Sequence, residues 1–265
     1  MMSELIEVSV TDGIATVYLN RPEKRNAMSD TMRSEFIEVL EGIATDRGIR
    51  AMVLTGRGKG FCAGGDVAGM EKRMKAPPGE VAFNGWARQQ RVHHTQSLLF
   101  TMPKPTIAAV NGSASGLGAD TALACDFVMV SPSASFSWSY INRGLIPDGG
   151  GMYFLPRRVG LPKAKALIFS GRKVEAQEAL TLGLADQMST EEGLVADAQA
   201  WAKALSQGSA IALALGKTIL NQTFELSATQ VFAQGSQAQG ICYTSSEHRE
   251  AVMAFLERTA AAKKV

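Results

Sequence analysis

The sequence predicts an α/β fold with its functional site at strand ends, and three observations carry that reading. An apolar strand running into a glycine-rich loop occurs twice, as "AMVLT" into "GRGKGFCAGGD" (51–66) and as "TIAAV" into "NGSASGLGAD" (106–120). The second loop passes into an apolar helix, "TALAC". Beyond Leu161 the chain reads as mostly helical. Strands that alternate with helices form parallel sheets whose ligand sites lie at the strands' carboxyl ends.

In chain order, Ile6–Val10 alternates apolar and polar residues, Asp12–Gly13 turns the chain and Ile14–Leu19 continues, which is a hairpin pattern. Ser29 suits the cap of a helix whose Met32, Phe36, Val39, Leu40 and Ile43 share one face. "AMVLT" is a short buried strand. Met70–Gly85, with "APPGE", shows little periodicity and reads as a mobile surface loop or a lid over a site. "RVHHTQSLLF" (91–100) is helical until Pro103 and Pro105 break it, and Thr106–Val110 and Phe127–Val130 are strands. The helical remainder runs through "AKALIFSG", "EAQEALTLG", a long stretch over 191–222 and a last segment to Ala262. A soft boundary near 200 divides a core of residues 1–200 from a helical region of residues 201–265.

Composition narrows the function class. With 265 residues, 46% hydrophobic, 20% charged and a net charge of +2, the chain is ordinary globular protein with no electrostatic mandate for nucleic acid. Cys62, Cys125 and Cys242 have no C-x-x-C spacing, so reduced thiols in a cytoplasmic setting are expected, not a disulfide frame or a zinc site. No apolar h-region opens the chain, and no run approaches the roughly 18 apolar residues of a membrane span.

Several site motifs fail. Gly60 is followed by Phe61 where a phosphate loop needs Lys and a hydroxyl residue, and Gly116-Leu-Gly118 is followed three residues on by Thr121, not Gly. The centre of "GSASG" is Ala114, not a nucleophilic serine. His93, His94 and His248 lack metal-ligand spacing and read as surface residues, so no metal is expected. Two glycine loops at neighbouring strand ends remain. Either they are tight turns only, or each aims a backbone N–H into one cavity as an oxyanion hole.

"YLNRPEKRNAMS" (18–29), "GKGFCAGGDV" (58–67), "PTIAAVNGSASGLGADTALACDFVMVS" (105–131) and "FSWSYINRGLIPDGGGMYFLPRRVG" (136–160) together resemble the crotonase, or enoyl-CoA hydratase/isomerase, superfamily. The similarity runs from about Ile6 to Ala185 with these blocks in order. It implies a crotonase-like spiral of ββα units, followed by helices that build a homotrimer or a dimer of trimers. It also implies acyl-CoA thioester substrates whose enolate is stabilised; coenzyme A is then part of the substrate and no separate cofactor is needed. By motif position the oxyanion-hole donors are the N–H groups of Ala63 and Leu117. The coenzyme-binding residues are Lys24, Arg25, Ala27, Ala63, Gly64, Gly65 and Asp66, with Asp66 either touching the coenzyme region or fixing its own loop. The acyl pocket takes in Trp138, Met70 and Gly116.

The family's hydratases carry two glutamates where this sequence has Asp120 and Tyr140, a departure that puts ordinary water addition in doubt. Asp148, in "IPDGGG", stands where other members keep a catalytic aspartate, and "GLIPDGGG…LPRRVG" most resembles the phenylacetate-pathway epoxyphenylacetyl-CoA isomerases. One carboxylate suffices for a 1,3-proton shift, so Asp148 is expected as principal acid/base, with Asp120 and Tyr140 as further catalytic or site-lining groups. Three alternatives stay open. These are hydration of a 2-enoyl-CoA, a dehalogenase or hydrolase using Asp148 as nucleophile beside Trp138 and Tyr140, and an RNA-binding homologue. The last finds little support, because the first helix sets Arg33 against Glu35, Glu38 and Glu41. Cys62 and Cys125 read as small buried hydrophobes.

Overall fold

A computed structural model describes the chain except residues 1–4, 67, 68, 70, 72, 73 and 263–265. The predicted hairpin is β1 (Ile6–Thr11) and β2 (Ile14–Leu19), paired antiparallel from Ile6↔Leu19 to Thr11↔Ile14. Its turn residues have positive φ, 52° at Asp12 and 76° at Gly13, which matches the twist of the flanking strands. Strand β3 (Ala51–Gly56) then pairs parallel with β2.

From β3 onward the chain visits two sheets in alternation. β3 passes into β4 (Gly60–Cys62), β5 (Thr106–Val110) into β6 (Ser113–Ser115), and β7 (Phe127–Val130) into β8 (Ser135–Ser137). The first of each pair joins a six-stranded sheet ordered β1-β2-β3-β5-β7-β10, the second a four-stranded sheet ordered β4-β6-β8-β9. β10 is Gln187–Met188 and β9 is Lys173–Glu175, which runs antiparallel to β8. The expected spiral is therefore present. Strands β3 and β5 are buried at every position, as parallel strands covered on both faces must be.

Helix α1 (Asp30–Thr45) starts where Ser29 accepts a hydrogen bond from the Met32 N–H, and Met32, Phe36, Leu40 and Ile43 are buried. Arg33 is buried with them. Helix α2 (Pro78–Phe100) overturns part of the loop expected at Met70–Gly85. Pro77 and Pro78 begin this helix instead of preventing it, since proline suits a first turn whose N–H groups have no partners. Only Val92, Thr95, Gln96 and Leu99 are buried along it, so its first half lacked the amphipathic pattern that betrays a helix.

Helices α3 (Leu117–Leu123), α4 (Gly151–Val159), α5 (Leu161–Ser170) and α6 (Ala176–Leu182) complete the main core. The boundary placed at 200 falls inside α7 (Leu194–Leu205). Leu194, Ala198 and Ala202 pack with Ile14, Val53, Ile107 and Met129 on the sheet's other face, so α7 belongs to the core. The helices that leave the core are α8 (Ala210–Leu220), α9 (Ala228–Tyr243) and α10 (Ser246–Ala262). Among the described residues no helix is long and apolar enough to cross a membrane.

Candidate active site

The first glycine loop is held by the segment before α1. Ala63 N–H donates to Arg25 O (2.9 Å), Met28 N–H to Gly64 O (2.7 Å) and Asp66 N–H to Met28 O (3.2 Å). That segment keeps its shape through buried Asn26, whose Oδ1 accepts from the Arg21 N–H at 2.8 Å and whose Nδ2 donates to Gly60 O at 2.7 Å. Asp66 pairs with Arg21 Nη1 at 2.6 Å, so its carboxylate fixes the loop. Lys24 and Arg25 stand exposed beside it, and all the predicted coenzyme-binding residues are thus gathered around one loop.

The second loop presses directly on the first. Gly64 has φ +93°, and a Cβ there would lie 2.6 Å from Ser115 O; a Cβ on Gly118 would lie 2.1 Å from Cys62 O. Close approach of backbone to backbone is what the glycines permit. Gly116 caps α3, placing Leu117 at its first position, where a backbone N–H has no intrahelical acceptor.

Which N–H groups remain available corrects one expectation. Ala63 spends its N–H on Arg25 O and cannot serve a ligand. Two residues on, the Gly65 N–H has no acceptor among the described residues, and neither has that of Leu117. Both residues line a cavity of ≈ 630 Å³ whose walls also include Gln89, Val92, Tyr140 and Asp148. Both also line a hollow of ≈ 60 Å³ that opens between the loops, with Gly116 and Tyr140. Met70, expected in the pocket, lies outside the described residues.

Asp148 is half-buried in the larger cavity. Its Oδ2 accepts from Gln89 Nε2, and His93 Nε2 lies 3.1 Å from its carbonyl oxygen. Gln89 was missed in the sequence. It shares one face of α2 with Val81, Gly85, Arg88 and Val92, and all five line the cavity, but that face mixes apolar and polar residues and carries no periodic signal.

Asp120 sits behind this wall. It is fully buried and lines neither the cavity nor the hollow. Tyr140 Oη donates to its Oδ2 at 2.7 Å and Trp138 Nε1 to its Oδ1 at 2.9 Å. A Cβ on Gly149 or Gly151 would come within 2.7 or 2.3 Å of its carboxylate oxygens, so those glycines make room for Asp120 and not for an acyl chain. Trp138 is likewise fully buried and lines no part of the cavity, contrary to its expected place in the acyl pocket; its ring anchors Asp120. Tyr140 is the member of this trio whose ring reaches the cavity.

Burial raises the Asp120 pKa to about 7; the nearby Asp148 charge adds to the rise, and hydrogen bonds from Tyr140, Trp138 and the Gly151 backbone oppose it. The same burial and the adjoining carboxylates push the Tyr140 phenol upward, so it keeps its proton. Burial also lifts the Cys62 thiol to about 11 and that of Cys125 to about 12, which leaves neither as a nucleophile. Among the described residues no group of three His, Cys, Asp or Glu side chains is placed to hold a metal ion.

A pKa of about 7 against an ordinary 3.8 means that the folded protein holds the Asp120 proton more tightly than the unfolded chain does. The stability this confers is fully present below about pH 4 and is lost as the pH rises through 7. Asn cannot ionise. The melting temperature of Asp120→Asn, relative to wild type, should therefore climb between about pH 4 and 7 and level off above that in a thermal scan. A difference independent of pH would show that Asp120 does not titrate there.

Known proteins share this architecture. The family model described as enoyl-CoA hydratase/isomerase matches residues 9–263. The chain is 35% identical to the 1,2-epoxyphenylacetyl-CoA isomerase of Escherichia coli, over 97% of each protein. It is 33% identical to that organism's 2,3-dehydroadipyl-CoA hydratase, again over 97% of each. The solved structure of an enoyl-CoA hydratase/isomerase from Cupriavidus metallidurans superposes with a TM-score of 0.89 at 32% identity, covering 97% of this chain and 95% of that one. Matched along nearly its whole length, in sequence and in fold, the chain belongs to the enoyl-CoA hydratase/isomerase, or crotonase, family.

Proposed function

We propose that the protein is an acyl-CoA isomerase that moves a proton along an enolisable acyl chain with Asp148 as the shuttle. The observation that carries this reading is one cavity bounded by two backbone donors without an acceptor among the described residues, Gly65 and Leu117, and by the half-buried carboxylate of Asp148; the other carboxylate in its wall, Glu71, is exposed and paired with Lys75. The thioester oxygen accepts from both N–H groups, which stabilise the negative charge as it develops. Asp148 takes a proton from C2 of a 3-enoyl thioester, and the electron pair delocalises onto the thioester oxygen. Returning a proton at C4, after exchange of the carboxyl proton with solvent in a fraction of turnovers, gives the 2-enoyl isomer with no atom gained or lost. Gln89 aims the carboxylate, and Tyr140, fixed by Asp120, closes the wall beside the reacting carbons. Lys24 and Arg25 are exposed cations beside the loop and suit the phosphates of coenzyme A.

Hydration remains the second reading, on one observation: Asp120 occupies a hydratase carboxylate position and titrates near neutrality. It does not line the cavity, so a water there would meet Tyr140 instead. The burial of Trp138 removes one of the two aromatic walls that a ring-gripping dehalogenase would use. A panel of 2-enoyl-, 3-enoyl- and aryl-CoA thioesters incubated in D₂O and read by mass spectrometry tests the proposal. Deuterium at an exchangeable carbon with the double bond moved supports isomerisation. A gain of water mass, with the double bond lost and not moved, overturns it.

We further propose that the chain assembles as a trimer or a dimer of trimers. Phe232, Ile241 and Phe255 on α9 and α10 are exposed in the single chain, an apolar face that suits burial against a second copy. Light scattering at micromolar concentration should read one of these assemblies; a species near 28.2 kDa would contradict it.

A further inference from the structure

The cavity wall contains an arginine held, among the described residues, by one long ion pair. Arg88 lines the cavity from α2, next to Gln89. Its side chain is only 18% exposed, and no hydrogen bond from its guanidinium appears among the described residues. Its buried Nε makes no hydrogen bond and forms only a long ion pair, at 3.6 Å, with Asp30 Oδ1. Asp30 is itself 69% exposed and is held at 2.7 Å by Arg33. Arg33 is 1% exposed and leaves its Nη2 unpartnered as well.

Other charged groups described here have partners. Glu71 pairs with Lys75 at 2.9 Å, Arg91 donates to Ser34 Oγ at 2.7 Å, and Arg143 Nη1 lies 3.3 Å from Ser139 O. A guanidinium carries five N–H donors in a planar fork that matches a carboxylate. Leaving such a group partly buried without a hydrogen bond is unfavourable, and an acceptor supplied by a ligand would offset that cost. The rest of the lining near it, Val81, Met74, Val92 and Leu145, is apolar and suits a carbon chain.

We infer that Arg88 binds a carboxylate at the far end of the acyl group, so that the preferred substrates are CoA thioesters of dicarboxylic acids. The inference rests on the acyl-CoA reading of this cavity. Gln89 holds Asp148 and Arg88 precedes it in α2, so an acyl chain reacting at Asp148 brings a substituent a few atoms further on to the guanidinium. Lys24 and Arg25, which suit the coenzyme, do not line this cavity, which separates the two anionic ends of such a substrate.

Binding of unreactive saturated thioesters tests this independently of turnover. By calorimetry, adipoyl-CoA should bind wild type roughly 10- to 100-fold more tightly than hexanoyl-CoA. Arg88→Met should bring that ratio close to one, and Arg88→Lys, which keeps the charge but loses the fork, should give an intermediate value. Equal affinities in wild type, or a preference that survives in Arg88→Met, would overturn the inference. Absence of a moved double bond across the D₂O panel would overturn the isomerase reading while leaving the carboxylate preference standing.

Discussion

Asp148→Asn is expected to lower kcat by roughly 10²–10⁴, the usual contribution of a positioned acid/base, while acyl-CoA affinity stays within a few-fold. The substitution keeps the shape of the site. The amide oxygen of the introduced asparagine can still accept from Gln89 Nε2, and the backbone carbonyl beside His93 is unaltered. Only the capacity to take and return a proton is lost. Asp120→Asn should cost less, because Asp120 acts through Tyr140 and lines no part of the cavity. Steady-state rates with a 3-enoyl thioester, set beside calorimetric affinities, separate the two. If Asp148→Asn turns over near the wild-type rate while Asp120→Asn is inactive, the buried acid carries the chemistry.

Leu117→Pro should lower kcat by roughly 10²–10³, the typical effect of removing one oxyanion-hole donor. Proline is tolerated at this position because Leu117 is the first residue of α3, where the N–H has no helical partner. The preceding Gly116, at φ 54° and ψ −120°, has no side chain to clash with the ring. Leu117→Ala is the control: it keeps the N–H and shortens the side chain, so most of the activity should remain. Equal losses in the two variants would assign the effect to the leucine side chain and not to its amide.

How far the site could be read in advance varied with how local its causes were. The Asp12–Gly13 turn, the capped start of α1 and the two glycine loops follow from short-range preferences and were legible. The choice of amide was not. Ala63 is occupied because Arg25, distant in sequence, returns its carbonyl to the loop, and only tertiary pairing decides that Gly65 is the free donor. Trp138 and Tyr140, two residues apart on the same segment, looked equally suited to the pocket. The buried Asp120 accepts from both and draws the indole out of the cavity while leaving the phenol ring at its edge. The first half of α2 was hidden for a different reason. One face of it lines the cavity and the remainder faces solvent, so its apolar residues follow no core-facing stripe.

The central claim is that Gly65 and Leu117 jointly hold the oxygen of a thioester enolate beside Asp148. The structure of the protein with a bound 3-oxoacyl-CoA, whose enolate form carries that oxygen, tests it most directly. The thioester oxygen should lie about 3 Å from the amide nitrogens of both Gly65 and Leu117, with C2 facing Asp148. An oxygen placed away from either amide, or an acyl chain that turns C2 away from Asp148, would contradict the account.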